Sequence, residues 1–401
     1  MNGLEEWTSG LEAVMSPIPE REAAAVEAAR AFAREVIEPN AVAWDEAGRV
    51  PAQAFREAAG RGLCGLTVPE ALGGRGLAMP AMALAVEAFA SACMASAFSF
   101  VVHNNLARNL SRNGTPAQQS RWLPSLIAGE RIGAFLLTEP QGGSDAAAIT
   151  TTARRDGSAW RLDGVKAWAS NAAGAHLLSV YAQTDPCARW RGIACFLVEA
   201  DAPGVVREPA YRLLGGHAVG AGGFRFDGCR VNADAVLLGP GDGFKAAMAG
   251  IDFARVNVAA MCCGMLGRSL DTALGFSARR RSFGRTTLEH QGLQWLLADV
   301  ATDLEAARLL TARAAALLDG GGDGHTLAAA HAKKFATRAA LARIGDCMQA
   351  MGAPGLLTEH PLARHLACAK MAQYLDGTTE IQNVVIGRAI ARGPLADSGA
   401  S

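Results

Sequence analysis

The chain has 401 residues, with 38 basic and 38 acidic side chains and a formal net charge of zero. A chain of this length exceeds what one hydrophobic core usually organises, so two or three domains are expected. Neither sign of charge accumulates in a long run, which removes the basic footprint that nucleic acid or an anionic membrane requires. We therefore expect no nucleic-acid partner and no membrane attachment.

The start of the chain and its cysteines indicate the compartment. Residues Met1 to Trp7 lack a basic region followed by an apolar stretch, and we identify no uninterrupted apolar segment long enough to span a bilayer. The nine cysteines are scattered, and the only adjacent pair, Cys262-Cys263, lies in an apolar, helix-like segment. A cytoplasmic protein without a disulfide framework and without a metal site is expected.

The first third of the chain has the periodicity of helices. Alanine-rich segments carry apolar residues at spacings of three and four, at Glu20 to Ile37, Pro51 to Gly62, Met79 to Asn109 and Pro116 to Ala128. This pattern predicts an all-α domain over residues 1–134.

Between residues 135 and 238 the periodicity changes to that of strands. Apolar and β-branched runs lie at Leu177 to Gln183, Ile193 to Glu199 and Phe224 to Val231, and Asp-Gly turn signals punctuate the region. A β domain is therefore predicted over residues 135–238.

Two stretches of this β domain carry groups that suit a flavin. From Thr138 to Asp145 a proline and two glycines leave backbone N–H groups uncrowded, and the hydroxyls of Thr138 and Ser144 add hydrogen-bonding groups. Trp168 lies two residues from Ser170, so an indole and a hydroxyl share one strand face. Each stretch alone is more typical of a surface turn or a packed tryptophan. Together they predict a flavin cradle.

After a glycine-rich turn, helical patterns return. Long amphipathic stretches run over Lys245 to Arg281, Gln291 to Leu318, Thr326 to Met351 and His360 to Leu375. They predict a helical domain over residues 239–401.

Three features of this last domain suggest binding or chemistry. Arg280, Phe283 and Gln291 belong to a basic and aromatic cluster at a helix end, which can grip a diphosphate or simply be a solvated patch. Asp252 and Arg255 are three residues apart on one helix face, as a surface ion pair or as ligand contacts. Asp376 begins a Gly-Thr turn between two helical stretches and is our candidate for a catalytic base.

Taken in order, these motifs resemble the acyl-CoA dehydrogenase family. The resemblance extends from the Val68-Pro69-Glu70-Ala71-Leu72-Gly73-Gly74 element to Ile386-Gly387-Arg388. It implies an α+β multidomain fold with an N-terminal all-α domain, a middle β-barrel-like domain and a C-terminal four-helix bundle. It also implies noncovalently bound FAD and a homotetramer or homodimer whose interface completes the flavin site.

The resemblance also assigns residues position by position. It places the flavin and its chain against Phe135, Leu137, Thr138, Gly143, Ser144, Trp168 and Ser170. A neighbouring subunit is expected to supply Arg280, Phe283, Gln291, Gln349 and Gly352 toward the pyrophosphate and adenosine. Thr378 and Glu380 fall where the family again contacts FAD, and Ser144, Asp252, Arg255 and Gly377 fall where it contacts the acyl thioester. Asp376 occupies the place of the general base.

The implied chemistry is α,β-dehydrogenation of an acyl thioester carried on CoA or on acyl-carrier protein. The base removes an α-proton while the β-hydride passes to flavin N5. The resemblance also implies that a backbone N–H at the base position and a flavin hydroxyl stabilise the developing enolate oxygen. Burial is expected to raise the pKa of the base. The expected electron acceptor is an electron-transfer flavoprotein.

Several positions depart from the family pattern. Most members have Glu where this chain has Asp376, and a misplacement of about 1 Å can cost roughly a hundredfold in rate. Ala254 stands at the family's second base position, and further departures are Ala353, Ala367-Cys368 and Asn383. The Gly215-Gly216-His217-Ala218 loop resembles that of members acting on carrier-protein-bound acyl groups. A nitroalkane oxidase-like flavoprotein and a non-catalytic flavin-binding member remain as alternatives.

Overall fold

The N-terminal part of the chain is helical in this computed structural model, which describes residues 18–321 and 323–397. Its helices are α1 (Glu20–Phe32), α2 (Glu38–Glu46), α3 (Ala52–Gly60), α4 (Met79–Ala92), α5 (Met94–Asn113) and α6 (Pro116–Ile127), with a π-helical segment (Ala33–Ile37) between α1 and α2. The expected all-α domain is confirmed, and the predicted segment Met1 to Trp7 lies outside the described residues. One detail was wrong: the stretch predicted as one helix from Met79 is divided at Cys93, whose extended backbone ends α4 and begins α5.

The middle of the chain forms one eight-stranded sheet. Its strands are β1 (Gly133–Leu136), β2 (Thr152–Asp156), β3 (Ala159–Ala169), β4 (Leu177–Gln183), β5 (Ile193–Glu199), β6 (Val205–Arg207), β7 (Gly222–Val231) and β8 (Val236–Leu238). The strand order is β6-β7-β3-β2-β4-β5-β8, and β1 pairs with β4 in parallel. The middle β domain is confirmed, although β1 begins at Gly133, two residues before the predicted bound of 135. Within the described residues the edge strands β6 and β8 do not pair, so this barrel-like domain is an open sheet.

The C-terminal part is helical again, as expected. It consists of α7 (Asp242–Ser277), α8 (Gln291–Asp319), α9 (His325–Met351), α10 (Leu362–Ala372) and α11 (Thr379–Asp397), with a short hairpin of β9 (Arg281–Ser282) and β10 (Arg285–Thr286) before α8. Helix α7 packs on both α9 and α4, and one hydrophobic core therefore joins the two helical parts of the molecule. Helices α10 and α11 both pack on α9, so the turn between them lies against the bundle.

Helix α7 is long and apolar, and the expectation of no segment long enough to span a bilayer is wrong for it by length and composition. By length and composition it is the one helix of the described residues that could cross a membrane. However, 72% of its most apolar part is buried inside the protein. Cys262 and Cys263 lie within it, at 1% and 0% exposure. The apolar character of α7 is thus accounted for by its central place in the helical core.

Candidate active site

Asp376 lies in the short turn that joins α10 to α11, and its backbone is left-handed. Its φ is +49°, and that of the following Gly377 is +90°. For a residue with a side chain, this conformation costs roughly 1–2 kcal/mol and persists only where the surroundings hold it in place. The turn is therefore a strained, positioned element of the kind found at functional sites.

Three side chains from three different helices hold this turn by its carbonyl groups. Arg255 Nε of α7 donates to the Asp376 carbonyl oxygen at 3.2 Å, and Lys333 Nζ of α9 donates to that of Gly377 at 2.6 Å. Gln382 Nε2 of α11 donates to the Gly377 oxygen at 2.9 Å. The bonds oppose relaxation of the left-handed backbone. Residue pattern did not point to Lys333 and Gln382, because a lysine or glutamine within a helical pattern is usually solvated.

Asp252 and Arg255 form a buried pair, and not the surface pair that their spacing also allowed. Arg255 Nη1 lies 2.9 Å from Asp252 Oδ1, with both residues at most 7% exposed. Thr326 Oγ1 donates to the other carboxylate oxygen of Asp252 at 2.6 Å. The carboxylate thus fixes the guanidinium that holds the Asp376 turn.

Asp376 as a residue is half-buried, and the Oδ2 atom of its carboxyl group is shielded from solvent. Within the described residues that oxygen has no hydrogen-bond partner. Burial raises the pKa of Asp376 to about 6, although the positive charges of Lys333 and Arg255 act in the opposite direction. A carboxyl group with this pKa is mostly ionised at neutral pH and is a better proton acceptor than an ordinary aspartate. An unpartnered oxygen leaves it free to take a proton from a ligand.

A second buried ion pair fixes the predicted flavin cradle. Lys166 Nζ of β3 lies 2.8 Å from Glu139 Oε1 and donates to the Leu137 carbonyl oxygen at 3.0 Å. Burial opposes the charge on Glu139, but Lys166 and hydrogen bonds from Thr150 and Thr151 outweigh it and lower the pKa to about 2. Burial lowers the pKa of Lys166 to about 8. The segment that leaves β1 is therefore rigidly tied to β3.

The two predicted flavin stretches meet in the structure. The backbone N–H of Ala167 donates to the Thr138 carbonyl oxygen at 2.9 Å, which places Thr138 beside Trp168. The loop then folds back on Thr138. The approach is so close that a Cβ atom on Gly143 would lie 3.0 Å from the Thr138 methyl carbon. Ser144 is exposed in this loop, and Ser170 is half-buried just after β3.

Trp168 is far more exposed to solvent than a tryptophan that packs in a core. Its φ is +56°, 60% of the residue is accessible, and its ring centroid lies 4.6 Å from that of Tyr211. A strained backbone that presents a large aromatic ring suits stacking against a planar ligand. Together with the open loop and the orphaned Asp376 oxygen, it fits the expected flavin.

The other predicted cofactor residues lie at separate places on the single chain. Thr378 is half-buried, and its Oγ1 accepts from the Ile381 N–H at 3.4 Å, whereas Glu380 is exposed. Phe135 is half-buried on β1, with its ring 5.0 Å from that of Tyr181. The remaining group is exposed and has no described hydrogen bond to the Asp376 turn; it comprises Arg280, Phe283, Gln291, Gln349 and Gly352. Their roles stay predictions.

Comparison with known proteins shows the family. The N-terminal, middle and C-terminal domains of acyl-CoA dehydrogenase match residues 19–130, 134–229 and 241–391. The mitochondrial short-chain specific acyl-CoA dehydrogenase of Homo sapiens is 36% identical over 376 residues, covering 94% of this chain and 91% of that protein.

Solved structures of acyl-CoA dehydrogenases have the same fold as this chain. Butyryl-CoA dehydrogenase from Megasphaera elsdenii superposes with a TM-score of 0.90 at 30% identity, over 94% of this chain and 99% of that one. A glutaryl-CoA dehydrogenase from Mycobacterium smegmatis in complex with FADH2 gives a TM-score of 0.87 at 28% identity, over 93% and 95% of the two chains. The chain therefore belongs to the acyl-CoA dehydrogenase family.

Proposed function

We propose that this protein is an FAD-dependent oxidoreductase that introduces a double bond between the α and β carbons of an acyl thioester. The observation that carries the proposal is the carboxyl group of Asp376, which has an unpartnered buried oxygen and lies on a turn held by α7, α9 and α11. A fixed, partly desolvated carboxylate is what abstraction of a weakly acidic α-proton requires. The family membership and the name of the human relative support this reaction class.

The residues of the candidate site have distinct roles in the proposed reaction. Asp376 accepts the α-proton, while Arg255, Lys333 and Gln382 hold its turn. FAD, when bound, supplies the acceptor for the β-hydride. Thr138, Gly143, Ser144, Trp168 and Ser170 would hold the flavin, with Phe135, Leu137, Thr378 and Glu380 nearby. Ser144, Asp252, Arg255 and Gly377 are proposed to contact the acyl thioester.

A small acyl-CoA is the substrate class that we favour. The support is the 36% identity to a protein named as short-chain specific and the fold shared with butyryl-CoA dehydrogenase. The alternative substrate is an acyl group carried on acyl-carrier protein. The proposed electron acceptor is an electron-transfer flavoprotein.

The test is a panel of anaerobic reductions with the FAD-loaded protein. Butyryl-CoA, longer acyl-CoAs, butyryl-acyl-carrier protein and a nitroalkane are mixed separately, and the flavin absorbance is followed. We expect rapid bleaching by butyryl-CoA, with smaller rates as the chain lengthens. Bleaching only by the carrier-protein thioester would show that the substrate is an acyl group on acyl-carrier protein and not an acyl-CoA. Bleaching only by the nitroalkane, or by nothing in the panel, would overturn the proposal.

A further inference from the structure

A polar groove lies between α5 and α7, and we name it the α5–α7 groove. Its volume is about 200 Å³, and its floor is formed by side chains of β1 and β4. The residues that bear on its chemistry are Asn105, Arg108, Asn109, Arg112, Tyr181 and Gly250. Small residues on α7, including Ala246 and Ala249, leave the space between the two helices open.

The groove lies on the other side of α7 from the base turn. Successive residues of a helix are rotated by about 100°, which puts Ala246 and Gly250 on one side of α7 and Arg255 on the opposite side. Arg255 is the residue that holds the Asp376 carbonyl group. None of the residues predicted to contact the thioester lines the groove, whereas Phe135, one of the predicted flavin contacts, does. The groove therefore adjoins the predicted flavin site at Phe135, but none of its lining residues belongs to the Asp376 turn, and the proposed function assigns no ligand to its arginines.

Two arginines face the groove without a carboxylate partner. Arg108 and Arg112 are four residues apart on α5, so they lie on the same face and repel each other. Burial and the charge of Arg112 lower the pKa of Arg108 to about 10. Neither arginine forms an ion pair with an acidic residue in the described parts of the chain. Two neighbouring cations without a counter-charge favour a bound anion.

The inner arginine is held in place before any ligand binds. Arg108 is half-buried, and its guanidinium lies 4.6 Å from the ring centroid of Phe253. This cation–π contact restricts the side chain and leaves its N–H groups available to the groove. Arg112 is exposed at the rim, so the positive charge extends from the surface to the interior.

At the floor of the groove lies a buried polar group without a partner. Tyr181 is 0% exposed, and its hydroxyl lies near Asn109 and Cys195 but makes no hydrogen bond of acceptable geometry to a described residue. Buried hydroxyls are normally satisfied, so an orphan of this kind indicates a missing partner. Side-chain amides of Asn105 and Asn109 add further donors beside it.

We infer that the α5–α7 groove binds a small oxyanion, either a carboxylate or a phosphate. Guanidinium, amide and hydroxyl donors meet there, and no acidic side chain lines the space. Carboxylate and phosphate oxygens share the geometry that arginine pairs recognise. The inference goes beyond the proposed dehydrogenation, since the arginines of the groove lie against a face of α7 other than the one that carries Arg255.

The test is calorimetric titration of the FAD-loaded full chain with inorganic phosphate and, separately, with succinate at constant ionic strength. We expect saturable binding of at least one of the two anions. Arg112→Gln should weaken that binding roughly tenfold or more, as expected for loss of a charge-assisted contact. Tyr181→Phe, which removes only the hydroxyl, should also weaken it. The matched control is Arg56→Gln on the exposed face of α3, which should leave binding unchanged.

The two anions distinguish the sources of the ligand. Binding of phosphate alone assigns the groove to a phosphorylated ligand, and binding of succinate alone assigns it to a carboxylate. Absence of saturable binding for both anions would overturn the inference. Binding that Arg112→Gln weakens no more than Arg56→Gln does would overturn it as well. Because Arg112 is exposed at the rim, Arg112→Gln should fold normally, and weaker binding by this variant cannot be attributed to unfolding.

Discussion

At the scale of single residues, the proposed base is set by a competition between burial and charge. Burial raises the pKa of Asp376, and the charges of Lys333 and Arg255 lower it, with a net value of about 6. The burial effect is therefore the larger one. Because the base must be ionised to accept a proton, kcat/KM should rise with pH through about 6 and level off above it.

Replacing Lys333 tests this competition. Lys333→Met removes a cation that favours the ionised form of Asp376, so the pKa of the base should rise and the acidic limb of the kcat/KM profile should move to higher pH. Lys333→Arg keeps the charge and should return the limb toward the wild-type position. The other charged groups near the turn, Arg255 and Glu380, are unchanged in both variants. An acidic limb at the same pH in all three proteins would contradict this assignment.

Sequence alone pointed to part of this candidate site. Asp376, Asp252 and Arg255 could be named because their motifs are local and resemble a family. Lys333 and Gln382 could not, since their function depends on how α9 and α11 pack against the turn. Packing of distant helices leaves no signature in residue spacing.

At the scale of elements, Gly377 permits the turn that carries the base. Its φ is +90°, and a Cβ atom there would lie 3.2 Å from the Gln382 amide nitrogen and 3.4 Å from Arg255 Nη2. A side chain would therefore press on two of the groups that hold the turn.

The comparison of two glycines isolates this effect. Gly324 has the same φ of +90° but no atom within 4 Å of a would-be Cβ. Gly377→Ala and Gly324→Ala should each lower the free energy of unfolding by roughly 1–2 kcal/mol, from the left-handed backbone. Only Gly377→Ala should also lower kcat, roughly a hundredfold for a shift of about 1 Å in the base. Denaturant unfolding and steady-state kinetics measure the two quantities. Equal activity of the two variants would be inconsistent with a positioned turn.

The departures from the family pattern are linked through packing. The Gly215-Gly216 loop lies against α10, where a Cβ atom on Gly215 would be 2.7 Å from the Ala367 Cβ and one on Gly216 would be 3.0 Å from Cys368 Sγ. Small side chains at Ala367 and Cys368 are thus matched to a loop without side chains. The sequence showed these as separate differences, because the contact joins residues about 150 positions apart.

At the scale of the whole molecule, the order of helical, β and helical domains could be predicted because hydrophobic periodicity changes from that of helices to that of strands and back. The break at Cys93 and the open edge of the sheet could not be predicted in this way. Both depend on how neighbouring elements pack, which competes with local propensity.

We propose that the exposed aromatic and basic residues beside α8 contact a neighbouring subunit in a homo-oligomer. Phe283 is 96% exposed on a left-handed backbone, and Trp295 is 64% exposed. If a neighbouring subunit completes the flavin site, Arg280→Gln should weaken FAD affinity at least about tenfold, by loss of a charge-assisted contact. Arg279→Gln, next to it, should have little effect.

Equilibrium dialysis of FAD and light scattering measure affinity and assembly on the same samples. FAD affinity should fall when the protein is diluted below its assembly concentration, because the subunits then separate. A monomer that retains FAD with wild-type affinity, or an Arg280→Gln variant that binds FAD normally, would refute the expected shared site.

The most direct test of the account is rapid anaerobic mixing of butyryl-CoA with FAD-loaded wild type and Asp376→Asn. The amide has the same size as the carboxyl group but cannot accept a proton. Wild type should reduce its flavin rapidly, and Asp376→Asn should bind FAD normally but reduce it roughly 10²- to 10⁴-fold more slowly. Flavin reduction at the same rate in both proteins would contradict the assignment of Asp376 as the base.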